Sequence, residues 1–400
     1  MIFIDYFSKE KSHCNCNASL LALFMKKYSD EIFYLFCSKS HCDCLKKIIS
    51  DAGISTDRII FYEIDVYPKR KEYSRFIIDF KLVKQIFTFA NKKGETKIFF
   101  SYTTTIFLYC LKLFLLFNPK ISAITAIHSE LERLDIVKYS QGYNISVRFW
   151  VILYCILFNL YFPLMIRIKN YKSLLLGESV KKNLIKKIPF IDKNSIMVID
   201  HPTLRKNFCN IEPFQNGKIN FGLVGIIDKK KNGENLLELL NYLKDTDFSK
   251  FKILLIGHIR NKNTDEYLKN ISNFEFFETF SDSLDFISEQ QLKELENQVD
   301  YNIYTYNIDG YKLTASGAFI DAVTFEKPIL AIKNDYLEYY FSKYGNIGYL
   351  FDNPKDMAQK IIDISNNPNI EEYTEQKENI KKIKQVIDIN YIADNNDFFM

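Results

Sequence analysis

The sequence predicts an α/β protein of two Rossmann-like domains, and three observations carry that prediction. Its 400 residues exceed what one ordinary hydrophobic core holds. Short apolar runs alternate with amphipathic stretches, the signature of βαβ units on a parallel sheet. The alternation also stops and restarts. Ile188-Pro189, His201-Pro202 and a polar stretch to Gly217 separate two such series.

In the first series the strands are expected at Ile2–Tyr6, Ile32–Cys37, Arg58–Ile64, Lys97–Ser101, Ile121–Ile127 and Tyr171–Leu176. Helices are expected at Ala18–Tyr28, Cys44–Ala52, Tyr73–Phe89 and Thr105–Phe117. The second series places strands at Ile219–Gly225, Lys252–Gly257, Phe274–Phe277, Tyr301–Tyr304, Pro328–Ala331 and Gly348–Leu350. Its helices fit Gly233–Leu243, Leu284–Gln298, Gly317–Phe325, Tyr336–Tyr344 and Lys355–Ser365, and a charged helical stretch runs from Glu371 to Val386. The expected organisation is thus a first domain over 1–200, a linker over 201–217, a second domain over 218–385 and a terminal segment over 386–400.

Composition narrows the function classes. The 53 basic and 49 acidic residues leave a net charge of +4, so no domain-wide basic field exists to hold nucleic acid. No basic stretch precedes the apolar Met1-Ile2-Phe3-Ile4, and no secretory signal is visible there. Eight cysteines in such a chain read as thiols and not as a disulfide framework. The expected compartment is the cytoplasm.

One run exceeds what a soluble domain needs. Phe149–Ile166 is apolar apart from Asn159 and Pro163, and is marginal for the ~20 residues that span a bilayer. It reads either as a buried helix or as an interfacial one, with Arg148, Arg167 and Lys169 flanking it and Trp150 near one end.

A strand, a polar loop and Ser316-Gly317 opening a helix form the main chemical signal. A small-residue turn at a helix start exposes backbone N–H groups and the positive end of the dipole, which suits a diphosphate. An N-capped helix that binds nothing has the same residues.

Context extends that signal. Tyr304–Tyr306, Ser316-Gly317, Asp321 and Lys327-Pro328, with FGLVGIIDKKKNGENLLELL at 221–240, Leu255-Ile256-Gly257-His258 and SLLLGESVKKNL at 173–184, together resemble the GT-B glycosyltransferases of bacterial surface-polysaccharide assembly. The family's two glutamates eight residues apart correspond to Leu313 and Asp321, and the usual Gly of Gly-Lys-Pro is Glu326.

The resemblance implies two domains facing across a cleft, a nucleotide-sugar donor on the second, and a glycan or lipid-linked acceptor on the first. The product would belong to a capsule or lipopolysaccharide made at the inner face of the plasma membrane. The implied donor wall comprises Gly225, Lys229, Lys231, Gly257, Arg260, Tyr306, Ser316, Gly317 and Asp321. His128 and Glu130 follow directly on the strand Ile121–Ile127, where open α/β sheets place ligands, and are the candidate catalytic pair. Asp5, His13 and Asn17 follow the first strand and are candidate acceptor contacts. No metal-binding Asp-x-Asp motif appears, so no divalent ion or other cofactor is expected. A nucleotide-sugar epimerase of the same architecture and a non-catalytic scaffold of polysaccharide assembly remain the rival readings.

Ser12-His13-Cys14-Asn15-Cys16 is echoed by Ser40-His41-Cys42-Asp43-Cys44. Two such loops after neighbouring strands could hold zinc. Cys-x-Cys is not the usual knuckle spacing, which favours coincidence.

Overall fold

The computed structural model describes residues 1–8, 13–65, 73–127, 129–140, 144–205, 213–214, 217–227, 229–259, 270–280, 287–306 and 311–399. The chain forms two compact units, one of residues 1–204, 313–315 and 387–400, the other of 205–312 and 316–386. The first change of unit falls inside the polar 201–217 stretch.

The first unit is built on a seven-stranded sheet. In chain order it comprises β1 (Ile2–Ile4), α1 (Cys14–Lys27), β2 (Phe33–Cys37), α2 (Lys39–Asp51), β3 (Ile59–Glu63), α3 (Tyr73–Lys93) and β4 (Lys97–Phe100). Then follow α4 (Thr105–Phe117), β5 (Ser122–Ala126), α5 (Ile136–Ser140), α6 (Ile145–Met165), β6 (Tyr171–Leu176), α7 (Glu178–Lys187) and β7 (Ile196–Ile199). All pairings are parallel, in the order β3-β2-β1-β4-β5-β6-β7. The direction of winding reverses between β1 and β4, so the carboxyl ends of these strands form the crevice in which such sheets seat ligands.

Strand side chains alternate faces, and both faces are covered. Ile2, Ile4, Ile98 and Phe100 pack with α3, α4 and α6, while Phe3, Phe33, Leu35 and Phe99 pack with α1 and α2. The final helix of the chain, Ile389–Asn395, joins the second of these cores through Ile389, Ile392 and Ala393.

Several expectations need correcting. SLLLGESVKKNL holds β6 and the start of α7, yet β6 is not the last strand of its sheet, because β7 follows. The Cys-rich segments are not loops: Cys14 and Cys16 open α1, and Cys42 and Cys44 lie within α2. The helices start early because each first turn already buries side chains. Phe149–Ile166 is buried along one face only. Phe158, Phe162 and Met165 of α6 pack in the core, whereas Phe149, Trp150, Leu153, Ile156, Leu160 and Leu164 are exposed.

The second unit repeats the plan with six parallel strands in the order β10-β9-β8-β11-β12-β13. It comprises β8 (Ile219–Ile227), α8 (Lys229–Leu243), β9 (Phe251–Ile259), β10 (Phe277–Thr279), α9 (Glu289–Gln298) and β11 (Tyr301–Tyr304). These are followed by α10 (Gly317–Phe325), β12 (Ile329–Ile332), α11 (Asp335–Tyr344), β13 (Gly348–Phe351), α12 (Pro354–Asn366) and α13 (Ile370–Val386). Here the winding reverses between β8 and β11, which places a ligand crevice near Gly225 and Tyr304.

Candidate functional site

In the second unit two sequence features converge beside the reversal point. Gly225 and Gly257 are register partners on β8 and β9. Gly225 has φ 120°, a conformation that side chains disfavour. A Cβ on Gly257 would meet the Gly225 carbonyl oxygen at 1.7 Å. Both positions therefore require glycine, and the backbone stays bare where β8 ends. A Cβ on Gly225 would lie 3.3 Å from Cβ of Ala318, in the first turn of α10. Strand end and helix start are in contact.

The helix start is well formed. The Ser316 hydroxyl accepts from the Phe319 amide at 3.2 Å and caps α10. The Tyr304 hydroxyl donates to the Ala318 carbonyl at 2.7 Å, tying β11 to the same turn. Gly317 is exposed, and nothing lies within 4 Å of where its Cβ would be. This combination offers an anion free N–H groups and a positive dipole end. Tyr306 is buried, stacked on Tyr304 at 5.6 Å and packed on Tyr311 at 4.7 Å. It lines the support of the turn and presents no open face.

Asp321 lies in the second turn of α10 and is half-buried. Its carboxylate is ion-paired with Arg205, a residue that no sequence motif marks. The same guanidinium grips Glu289, at the start of α9, with Nη2–Oε1 at 2.8 Å and Nε–Oε2 at 3.0 Å. Burial raises the Asp321 carboxyl above its usual range, opposed by Arg205. Burial acts against the Arg205 charge, but the two carboxylates outweigh it and raise the guanidinium further. Arg205 thus occupies the carboxylate expected to meet a ligand.

Lys327 and Glu326 have structural explanations. Lys327 is buried and donates to the Val299 carbonyl at 2.5 Å. Glu326 caps the C-terminus of α10 in the left-handed conformation, φ 57° and ψ 39°, where glycine is usual. An ion pair with Lys384 at 2.7 Å holds it there. The backbone of Lys229 and Lys231 lies in the first turn of α8, while Arg260 lies outside the described residues.

In the first unit two of the candidate acceptor residues, Asp5 and Asn17, form a closed network with His41. Asp5, just past β1, accepts from the amides of Phe7 at 3.0 Å and Ser8 at 2.8 Å. Its other oxygen accepts from Asn17 and lies 3.2 Å from Nε2 of His41. Burial pushes this carboxyl up, but the His41 hydrogen bond and charge, with the two amides, bring it down to about 2. Asp5, Asn17 and His41 are all buried, so they shape the crevice floor instead of offering free groups. His13 is exposed, at φ 54° before α1. His41 was legible only as part of the Cys-rich echo. Among the described residues, no three His, Cys, Asp or Glu side chains are grouped to hold a metal ion.

His128 lies outside the described residues. Glu130 sits in a 3₁₀ turn over Ser129–Leu134 and is 1% exposed. Its charge acts on half-buried Arg133, which donates to the Thr105 hydroxyl at 3.1 Å. The carboxylate points to the interior, which does not suit a base that must reach a substrate hydroxyl.

Residues 205–383 match the family described as Glycosyl transferases group 1. No curated protein matches the sequence. Among solved structures, a glycosyltransferase from Rickettsia africae ESF-5 is similar at 15% identity and TM-score 0.64, over 99% of this chain and 96% of that one. Anabaena HepE in complex with UDP-glucose is similar at 14% identity and TM-score 0.63, over 98% and 97%. WaaG, a glycosyltransferase involved in lipopolysaccharide biosynthesis, is similar at 10% identity and TM-score 0.58, over 100% and 96%. At these identities the likeness is one of fold, and the fold is GT-B.

Proposed function

We propose that the protein moves a sugar from a nucleotide-sugar to a glycan or lipid-linked acceptor of a bacterial surface polysaccharide, a reading supported by the match of residues 205–383 to Glycosyl transferases group 1. The observation that carries this reading is the bare Gly225–Gly257 strand end against the capped start of α10. Charge builds on the nucleotide diphosphate as the glycosidic bond breaks, and N–H groups at a helix start stabilise it without a metal. The enzyme is accordingly expected to work without a divalent ion. Undiminished transfer in EDTA supports that, and loss of transfer rescued by Mg²⁺ or Mn²⁺ refutes it.

The exposed stripe of α6 supports a lipid-linked acceptor. Leu113, Leu116 and Phe117 of α4, which packs on α6, are exposed as well. Arg148, Arg167 and Lys169 are exposed at the two ends of the stripe, and each contributes about 1 kcal/mol against anionic headgroups. Pro163 lies inside α6, and the chain returns directly to β6 of the same sheet. Both suit a helix lying in the interface at the cytoplasmic face rather than crossing it. Flotation with anionic vesicles tests this: salt-sensitive binding that is lost when Phe149 and Trp150 become Ser is the expected result.

A thermal-shift screen of nucleotide-sugars tests the donor site, because a ligand of the folded state raises the melting temperature. Gly317→Trp is expected to weaken nucleotide binding at least about a hundredfold with the fold retained. Unchanged affinity in that variant would refute the site. Epimerisation of a nucleotide-sugar without any acceptor would instead establish the epimerase reading. A non-catalytic scaffold has one observation in its favour: Leu313 replaces a family carboxylate and packs as an apolar side chain in the first unit. Absence of binding to every nucleotide-sugar would decide for it.

A further inference from the structure

The first unit holds a second set of reactive groups, which sugar transfer does not use. Because α1 begins at Cys14 and α2 at Lys39, Cys14 and His41 come together beyond the paired strands β1 and β2. Cys14 Sγ lies 3.4 Å from Nδ1 of His41, and Nε2 of His41 lies 3.2 Å from Asp5 Oδ2. Thiol, imidazole and carboxylate thus form one relay. Asp5 holds the imidazole at Nε2, which leaves Nδ1 facing the thiol as a proton acceptor.

Helix α1 acts in the same direction. Its N-cap, His13, makes no side-chain capping bond, and Cys14 sits at the positive end of a 14-residue helix. A histidine and a helix start are the two features that favour a thiolate. Cys16 shares the helix start, in the same first turn of α1. It is packed in the core, and is pushed up to about 12 by burial and by Asp5. Burial likewise takes Cys110 up to about 12 and raises Cys155. Cys37 and Cys42 hydrogen-bond to each other, which raises Cys37 and lowers Cys42.

We propose that Cys14 is a modification site, a thiol primed by His41 and Asp5 to react with small hydroperoxides. In the reaction, the Cys14 proton passes to Nδ1 of His41 and the sulfur attacks one peroxide oxygen. The O–O bond breaks, the sulfur is oxidised to a sulfenic acid, and the peroxide is reduced to an alcohol or, from hydrogen peroxide, to water. The leaving oxygen takes the proton back from His41. Cys14 is 3% exposed, so the reagent must be small. The product would sit against Asp5 and Asn17, at the crevice of the first sheet.

The test uses the reduced full-length protein, limiting hydrogen peroxide, and dimedone as the trap, read by site-resolved mass spectrometry. Cys14 is expected to carry at least about ten times the label of Cys16, its neighbour in the same helical turn. His41→Gln should cut the Cys14 label at least about tenfold while Cys16 stays protected, and that protection shows the fold is kept. Equal labelling of Cys14 and Cys16 in the wild-type protein overturns the proposal, whatever the variant does. So does a Cys14 label that His41→Gln leaves unchanged. Cys14→Ser supplies the remaining check, since most of the trapped adduct should vanish with that sulfur.

Discussion

Asp5 in the first unit and Glu296 in the second are both 0% exposed, yet they hold opposite charge states. Asp5 has two backbone amides, Asn17 and His41 around it, and is brought down to about 2. Glu296 has only the Asn302 side chain beside it to lower its carboxyl by hydrogen bonding. Burial pushes that carboxyl up to about 8, against the opposing charge of Lys327. Lys327 is lowered in turn, chiefly by its own burial. The same desolvation acts on both acids, so the difference lies in the donors each chain segment supplies. The first unit fixes a charge beside its crevice, and the second keeps a neutral acid in its interior.

The sharpest way to break this comparison is to remove the partner. His41→Ala leaves the Asp5 carboxylate buried without its imidazole and should cost about 3–5 kcal/mol in denaturant unfolding. A cost under about 1 kcal/mol would mean that the amides and Asn17 suffice.

The two acids also predict opposite pH responses. A carboxyl raised on folding keeps its proton while the unfolded chain ionises, so Glu296 costs stability as pH rises from 4.5 towards about 8. Glu296→Gln should therefore stabilise by a few kcal/mol at pH 8 and have little effect near pH 4.5. Asp5 runs the other way. Its contribution, about 2 kcal/mol, is present above 3.8 and disappears as pH falls through about 2. Asp5→Asn should flatten the acid limb of the stability profile and leave the alkaline limb untouched.

The smallest expected effect concerns Glu326. Glycine there would relieve the left-handed backbone by about 1 kcal/mol and give up the ion pair with Lys384. Glu326→Gly should raise stability by under about 1 kcal/mol. A marked loss would show that the ion pair, and not the backbone, governs that helix end.

The fold was readable because parallel strands covered on both faces appear as continuous apolar runs, such as Phe33–Cys37 and Ile329–Ile332. Strand β7 was missed because its two central residues are half-buried at the sheet edge and the run is only four residues long. Of the candidate site, Ser316, Gly317, Gly225 and Gly257 were legible, because backbone geometry restricts which residue types fit. The pairing of Asp321 with Arg205 was not, since 116 positions separate them and no local pattern marks such a contact. His41 was visible as an echo, but its place beside Asp5 depends on which strands are neighbours. Charge pattern and length showed α6 to be unusual. Which of its faces is covered depends on α4 and α5.

The route of the chain between the units limits how this protein can be rebuilt by recombination. Residues 313–315 belong to the first unit although 205–312 and 316–386 form the second, and residues 387–400 return to the first. A gene fragment for 205–386 is therefore not a clean cassette. Transplanted alone, it would present Leu313 and Ala315, which pack against the first unit's cores, to water. The donor half could be exchanged with that of a related enzyme only if the graft also carried host residues at these three positions, so homologous swaps should succeed with two internal junctions more than a domain boundary suggests.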